Sequence, residues 1–144
     1  MTATETKGSR LPQRVLCVDD NAFTLFVNVM VLRNQGYEVL ASSHPLEAAS
    51  IAQSEELDLA ILDYEMPEMN GAELAALCKA ANPDIKVILF SGPVGVPDRE
   101  LAFVDRLVEK SENFDVLLAA IEELLSADRS WSSTSFNNYE HMNQ

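Results

Sequence analysis

Two short apolar runs each break off at aspartate: Val15-Leu16-Cys17-Val18 is followed by Asp19 and Asp20, and Leu59-Ala60-Ile61-Leu62 by Asp63. Each run is bounded by polar residues and too short for a helix, so it reads as a strand buried on both faces, the kind found inside a parallel sheet. Parallel neighbours finish at the same edge. The two runs therefore gather three carboxylates at the carboxyl edge, where open α/β sheets hold their ligands. Three adjacent negative charges resist joint ionisation, and a divalent cation with oxygen ligands relieves the repulsion. The cluster is read as a Mg²⁺ site.

Short apolar runs and longer amphipathic segments alternate about five times, which is the α/β signature. Strands are expected at Val15 to Val18, Glu38 to Ala41, Leu59 to Leu62, Val87 to Phe90 and Arg106 to Glu109, with the second and fifth as edges. The first helix should run from Ala22 to Asn34 and stop near Gly36, because glycine commonly stands just past a helix end. Its stripe Phe23, Phe26, Val27, Met30 and Val31 is expected to face the core. Ser43 and Pro45 mark the start of a second helix that ends at Ser54. A third covers Gly71 to Ala81 and is stopped by Asn82-Pro83. Asn113 caps the last, Phe114 to Leu125, whose buried face is Leu117, Leu118, Ile121, Leu124 and Leu125. Between them, Ser91-Gly92-Pro93-Val94-Gly95-Val96-Pro97 cannot hold regular structure. That leaves Asp98 to Phe103 or Val104 for a fourth helix, short or irregular.

A chain of 144 residues suits one domain with one substantial core. The expected division is a flexible segment 1–13, a domain 14–125 and a polar segment 126–144, expected to be disordered although it carries Trp131, Phe136 and Tyr139. A net charge of −13 without a basic stretch argues against direct binding to nucleic acid or an anionic membrane surface. The first residues lack a signal peptide's apolar centre and no apolar run approaches a membrane span, so a cytoplasmic protein is expected. Cys17 and Cys78 fall within a strand and a helix, where they should pack as small apolar groups. His44 and His141 stand away from the acids and are assigned no chemistry.

Taken singly, Asp19 or Asp63 would read as a solvated loop residue, Lys110 as a surface lysine and Ser91 as a turn residue. Together they form a pattern. Asp19-Asp20, the segment Asp63-Tyr64-Glu65-Met66-Pro67-Glu68-Met69-Asn70-Gly71, Ser91 after the fourth strand and Lys110 after the fifth resemble the receiver domain of two-component response regulators, over about Arg14 to Leu125. The resemblance implies a flavodoxin-like fold, a five-stranded parallel sheet in order 2-1-3-4-5 with helices on both faces. It also implies a single-domain response regulator. Asp63 would accept a phosphoryl group from a histidine kinase or a histidine phosphotransfer protein, and a downstream protein target would read the phosphorylated state.

A carboxylate can attack phosphorus once metal and donor bring the reacting atom to it, giving an acyl phosphate. By position in the family, Asp20 and Asp63 ligate Mg²⁺ directly, Asp19 acts through water and the backbone carbonyl of Glu65 completes the protein's share. Lys110 would pair with the phosphoryl group, while the Ser91 hydroxyl and the Gly92 N–H donate to its oxygens. Such a domain would catalyse its own Mg²⁺-dependent phosphorylation and dephosphorylation without being an enzyme in the ordinary sense. Met66-Pro67 and Asn70-Gly71 shape the loop after the nucleophile. The chain departs from the family pattern at Ser111, where a proline usually follows the lysine, and at Leu107, usually aromatic. The stretch from Ser91 to Lys110 is also short, so an altered output surface is expected. Two other readings fit parts of the pattern: a receiver-fold adaptor that works without phosphorylation, and a hydrolase of the haloacid-dehalogenase type, for which the chain lacks room for a substrate cap.

Overall fold

The computed structural model describes residues 11–93 and 95–126; the expectations for residues 1–10 and 127–144 lie outside them. Five strands, β1 (Arg14–Val18), β2 (Glu38–Ser42), β3 (Leu59–Asp63), β4 (Lys86–Ser91) and β5 (Arg106–Glu109), form one sheet in the order β2-β1-β3-β4-β5. Every pairing is parallel. β1, β3 and β4 lie inside and are almost wholly buried, as continuous apolar runs require; β2 and β5 are the edges.

Alternate residues of each strand point to opposite faces, which divides the core in two. Val15, Cys17, Leu59, Ile61, Ile88, Phe90 and Val108 pack on one face with Leu32 of α1 (Ala22–Asn34) and Leu117, Ala120, Ile121 and Leu125 of α4 (residues 114–126). Leu16, Val18, Ala60, Leu62, Val87 and Leu89 pack on the other. They meet Ala48 and Ala52 of α2 (Pro45–Ser54) and Leu74, Ala75 and Cys78 of α3 (Gly71–Ala81). Among its described residues the fourth crossover carries a single 3-10 turn, Asp98–Glu100, in place of a full α-helix. Both thiols are free and buried, and desolvation pushes Cys17 up to about 12 and Cys78 up to about 11, so they serve as apolar filler. Among the described residues no helix is long and apolar enough to cross a membrane.

Two local expectations are corrected. The stripe of α1 does not face the core: Phe23, Phe26 and Met30 are 75%, 60% and 56% exposed, while Val27 and Val31 are half-buried. α1 is apolar around its whole circumference, so periodicity could not choose its inner face. The sheet receives Leu32 and the polar Asn28, with Leu25 and Val29 packed beside them. At the start of α2 the N-cap is His44, without a side-chain cap bond, and Ser42 instead of Ser43 closes the turn by accepting the His44 N–H at 3.0 Å.

Candidate functional site

Strand register assembles the site. Val18 pairs with Leu62, so Asp19 and Asp63 stand one residue further on neighbouring strands. Asp63 pairs with Phe90 and Ser91 with Glu109, which brings Ser91 and Lys110 to the same edge. Asp19 is fixed locally: its Oδ1 accepts the Asn21 N–H at 2.9 Å, and Asn21 Oδ1 accepts the Thr24 N–H at 2.9 Å, capping α1. One polar turn thus ends β1, orients the acid and starts the helix.

Asp19 and Asp63 are both buried, whereas Asp20 is exposed. Lys110 Nζ lies 3.0 Å from Asp19 Oδ2 and 2.9 Å from Asp63 Oδ1, bridging the ends of β1 and β3 from beyond β5. The ammonium also sits 5.9 Å from the centre of the Phe90 ring, a favourable cation–π distance. Burial pushes the Asp63 carboxyl up to about 7; Lys110 pulls it down and the charge of Asp19 raises it again. For Lys110 itself, burial alone would lower the pKa, but Asp63 and Asp19 outweigh it and hold the group above its ordinary value. Two buried carboxylates thus share one ammonium, which neutralises them only in part.

The residues fit a hard divalent cation. Asp19, Asp20 and Asp63 each offer a carboxylate oxygen within 4.8 Å of the others. Asp19 Oδ2 is buried and, despite its ion pair with Lys110, receives no aligned hydrogen bond. An all-oxygen set with an open, exposed member suits an ion that keeps several waters.

The loop after Asp63 is shaped by close backbone contacts. The Tyr64 N–H donates to the Phe90 carbonyl at 3.2 Å, and the Gly71 N–H to the Tyr64 carbonyl at 2.8 Å. A Cβ on Gly71 would come within 2.4 Å of the Asp63 carbonyl oxygen and 2.6 Å of Leu89 Cδ1, so glycine alone permits α3 to start so close to β3. Asn70 and Glu73 cap α3 reciprocally. Glu68 takes a left-handed φ of 76° within the same loop. Asp20, Tyr64, Glu65, Met66, Pro67 and Asn70 line an open cleft of about 520 Å³ beside the acids.

Ser91 is buried at the end of β4, and its hydroxyl donates weakly to the Gly92 carbonyl at 3.4 Å. The Lys110 N–H donates to the Ser91 carbonyl at 2.7 Å, holding the ends of β4 and β5 together. The structure thus brings Asp19, Asp20, Asp63 and Lys110 into one cluster and leaves the Ser91 hydroxyl turned towards the Gly92 carbonyl. Sequence reasoning missed the hydrogen bond from Tyr64 to Glu100, 2.7 Å long; two polar residues 36 apart carry no periodic signal that could have linked them.

Known proteins resemble this chain in sequence and fold. The chain is similar to the response regulator receiver protein CpdR of Brucella abortus, 31% identical over 116 residues, which cover 78% of this chain and 96% of that protein. It spans less than a third of several other curated relatives, such as the transcriptional regulatory protein GlrR of Escherichia coli, 28% identical over 85% of this chain but 30% of that protein. Among solved structures, TrrA of Thermotoga maritima, crystallised with Mg²⁺ and beryllofluoride, superposes with a TM-score of 0.73 at 33% identity, covering 78% of this chain and 98% of TrrA. TrrA has also been crystallised in complex with the histidine kinase ThkA. The family model of the response regulator receiver domain matches residues 15–122, and the chain belongs to that family.

Proposed function

We propose that this protein is a single-domain response regulator that accepts a phosphoryl group on Asp63 and signals by phosphorylation-dependent protein binding. One observation carries the reading: a buried Asp63 shares a lysine with Asp19 across neighbouring strand ends, beside an exposed Asp20 and an open cleft. The match to nearly all of CpdR supports the single-domain form, and the TrrA complex with a kinase supports a histidine kinase or histidine phosphotransfer protein as donor.

An Asp63 carboxylate oxygen forms the bond to phosphorus as the bond to the donor's imidazole nitrogen breaks, and that nitrogen leaves with the electron pair. Mg²⁺, held by Asp19, Asp20, Asp63 and the Glu65 carbonyl, would neutralise the clustered charge and orient the phosphoryl oxygens. Lys110 exchanges its ion pair with Asp63 for one with the new phosphoryl group. Ser91 turns its hydroxyl from the Gly92 carbonyl to a phosphoryl oxygen, and the Gly92 N–H donates to another. A cytoplasmic site accords with the two free thiols.

Intact mass after incubation with acetyl phosphate and Mg²⁺ tests the reading. One added phosphoryl group is expected in the parent and none in Asp63→Asn. An equal gain in the variant would move the nucleophile elsewhere. No gain in the parent would favour a receiver-fold adaptor that works without phosphorylation, a reading that the missing fourth helix and the half-exposed Leu107 also accommodate.

A further inference from the structure

Beside the acid cluster lies a polar contact that the chemistry above does not use. Tyr64, directly after Asp63, donates its hydroxyl proton to Glu100 Oε1 at 2.7 Å, and Asn70 Nδ2 approaches the same oxygen at 3.4 Å. Both donors stand on fixed parts of the fold. The Tyr64 backbone is tied to β4 and to the start of α3, and Asn70 Oδ1 caps α3 by accepting the Glu73 N–H at 2.9 Å.

The acceptor does not. Glu100 ends the 3-10 turn of the fourth crossover, which has no side-chain cap and buries none of its own three residues. Val96, Leu101 and Val104 pack partly against the second core, and the far end is anchored where Asp105 accepts the Val87 N–H at 2.8 Å and pairs with Lys79 at 2.9 Å. Among the described residues, the side-chain hydrogen bonds from the turn itself to the rest of the domain are those made by Glu100.

The contact also separates two depressions. Tyr64 and Asn70 line the cleft beside the acids, and Asn70 and Glu100 line a second groove of about 360 Å³ between α3 and the turn, with Arg99 and Phe103 on its rim. Tyr64 thus lines the cleft and bonds Glu100 at once, so a shift of its ring would act on that bond. The hydrogen bond to Glu100 raises the Tyr64 pKa, as expected for a phenol that donates to a carboxylate.

We propose that Tyr64, held by Glu100 and Asn70, is a positioning residue that fixes the fourth crossover to the loop after Asp63 and relays the state of that aspartate to the surface of residues 96–104. The relay rests on Asp63 as phosphoacceptor; the positioning does not. Tyr64→Phe keeps the ring and removes the hydroxyl, so amide exchange by NMR on the full chain separates the two roles. Exchange at residues 98–104 should accelerate roughly tenfold in Tyr64→Phe, the scale of a local opening freed of one strong contact. Glu100→Ala should match it, Glu100→Gln should stay near the parent because its amide oxygen still accepts, and the double variant Tyr64→Phe/Glu100→Ala should be no faster than either single change.

On adding Mg²⁺ and beryllofluoride, protection at residues 98–104 should change in the parent and hardly at all in Tyr64→Phe, while fluorine NMR shows the mimic bound in both. Exchange in unliganded Tyr64→Phe within twofold of the parent would overturn the positioning role. An undiminished response in Tyr64→Phe would overturn the relay. Absence of a bound fluorine signal in the parent would overturn Asp63 as acceptor and the relay with it, and the unliganded comparison would still decide the positioning role.

Discussion

The third and fourth crossovers leave the same edge of the sheet, one from Asp63 and the other from Ser91, yet they are built to opposite standards. The third holds an 11-residue helix with a complete capping box, and Gly71, Leu74, Ala75 and Cys78 of that helix are buried. The fourth reduces to a three-residue turn without a cap or a buried residue. Composition explains the contrast. Gly71 to Ala81 is rich in alanine and leucine at helical spacing, whereas Ser91 to Pro97 interleaves glycine and proline. The acid cluster is therefore backed by a rigid element on one side and by a lightly held one on the other, so a chemical change at the site can alter shape on the lightly held side without loosening the carboxylates.

The largest test of that difference is Gly71→Ala. The added Cβ meets backbone at 2.4 Å and cannot be accommodated by turning a side chain. Overpacking of this kind should cost about 3 kcal/mol, or about 10 °C in melting temperature for a domain of this size. A fall of less than about 2 °C in a thermal scan would mean that the start of α3 yields as readily as the fourth crossover, and the comparison would collapse.

A second test asks how tightly the Asp63 end is held in the absence of metal. Burial raises this carboxyl to about 7 from an ordinary value of 3.8, so the folded state holds the proton more tightly than the unfolded chain. Stability from this group is fully present below about pH 4 and is lost as pH rises through about 7. In EDTA the parent should lose on the order of 2 kcal/mol relative to Asp63→Asn between about pH 4 and pH 8. Melting temperatures of both proteins across that range read the difference, and added Mg²⁺ should shrink it. Parallel curves would show that solvent reaches Asp63 freely and that the third crossover does not seal it.

What could be read from residue order follows a different division. The bounds of α1, α2, α3 and β5 are as expected, and β1 to β4 each gain only one or two terminal residues, because short apolar runs and helix stop signals act over short distances. The meeting of Asp19, Asp20 and Asp63 was legible because parallel register aligns strand ends, whereas Lys110 was joined to them through the resemblance to receiver domains. The inner face of α1 was not legible, since a helix apolar on every side gives no direction to its burial. Neither was the link from Tyr64 to Glu100, which depends on where an irregular crossover settles in three dimensions. Local rules reach the elements and even the irregularity of the fourth crossover, and stop at the long-range contacts its side chains make.

The smallest expected effect has the opposite sign to the largest. Gly95 lies in the fourth crossover, where, among the described residues beyond its chain neighbours, a Cβ would meet no atom within 4 Å, and its φ falls outside the left-handed region, so alanine brings neither a clash nor backbone strain. Gly95→Ala should then act mainly by narrowing the unfolded ensemble, which stabilises by about 0.5 kcal/mol, or about 2 °C. The same one-methyl substitution thus destabilises one crossover and slightly stabilises its neighbour. A fall in melting temperature approaching that of Gly71→Ala would show that the fourth crossover is packed as closely as the third. The contrast between a rigid and a lightly held side of the site would then have to be abandoned, and with it the reason for expecting a shape change to emerge between β4 and β5.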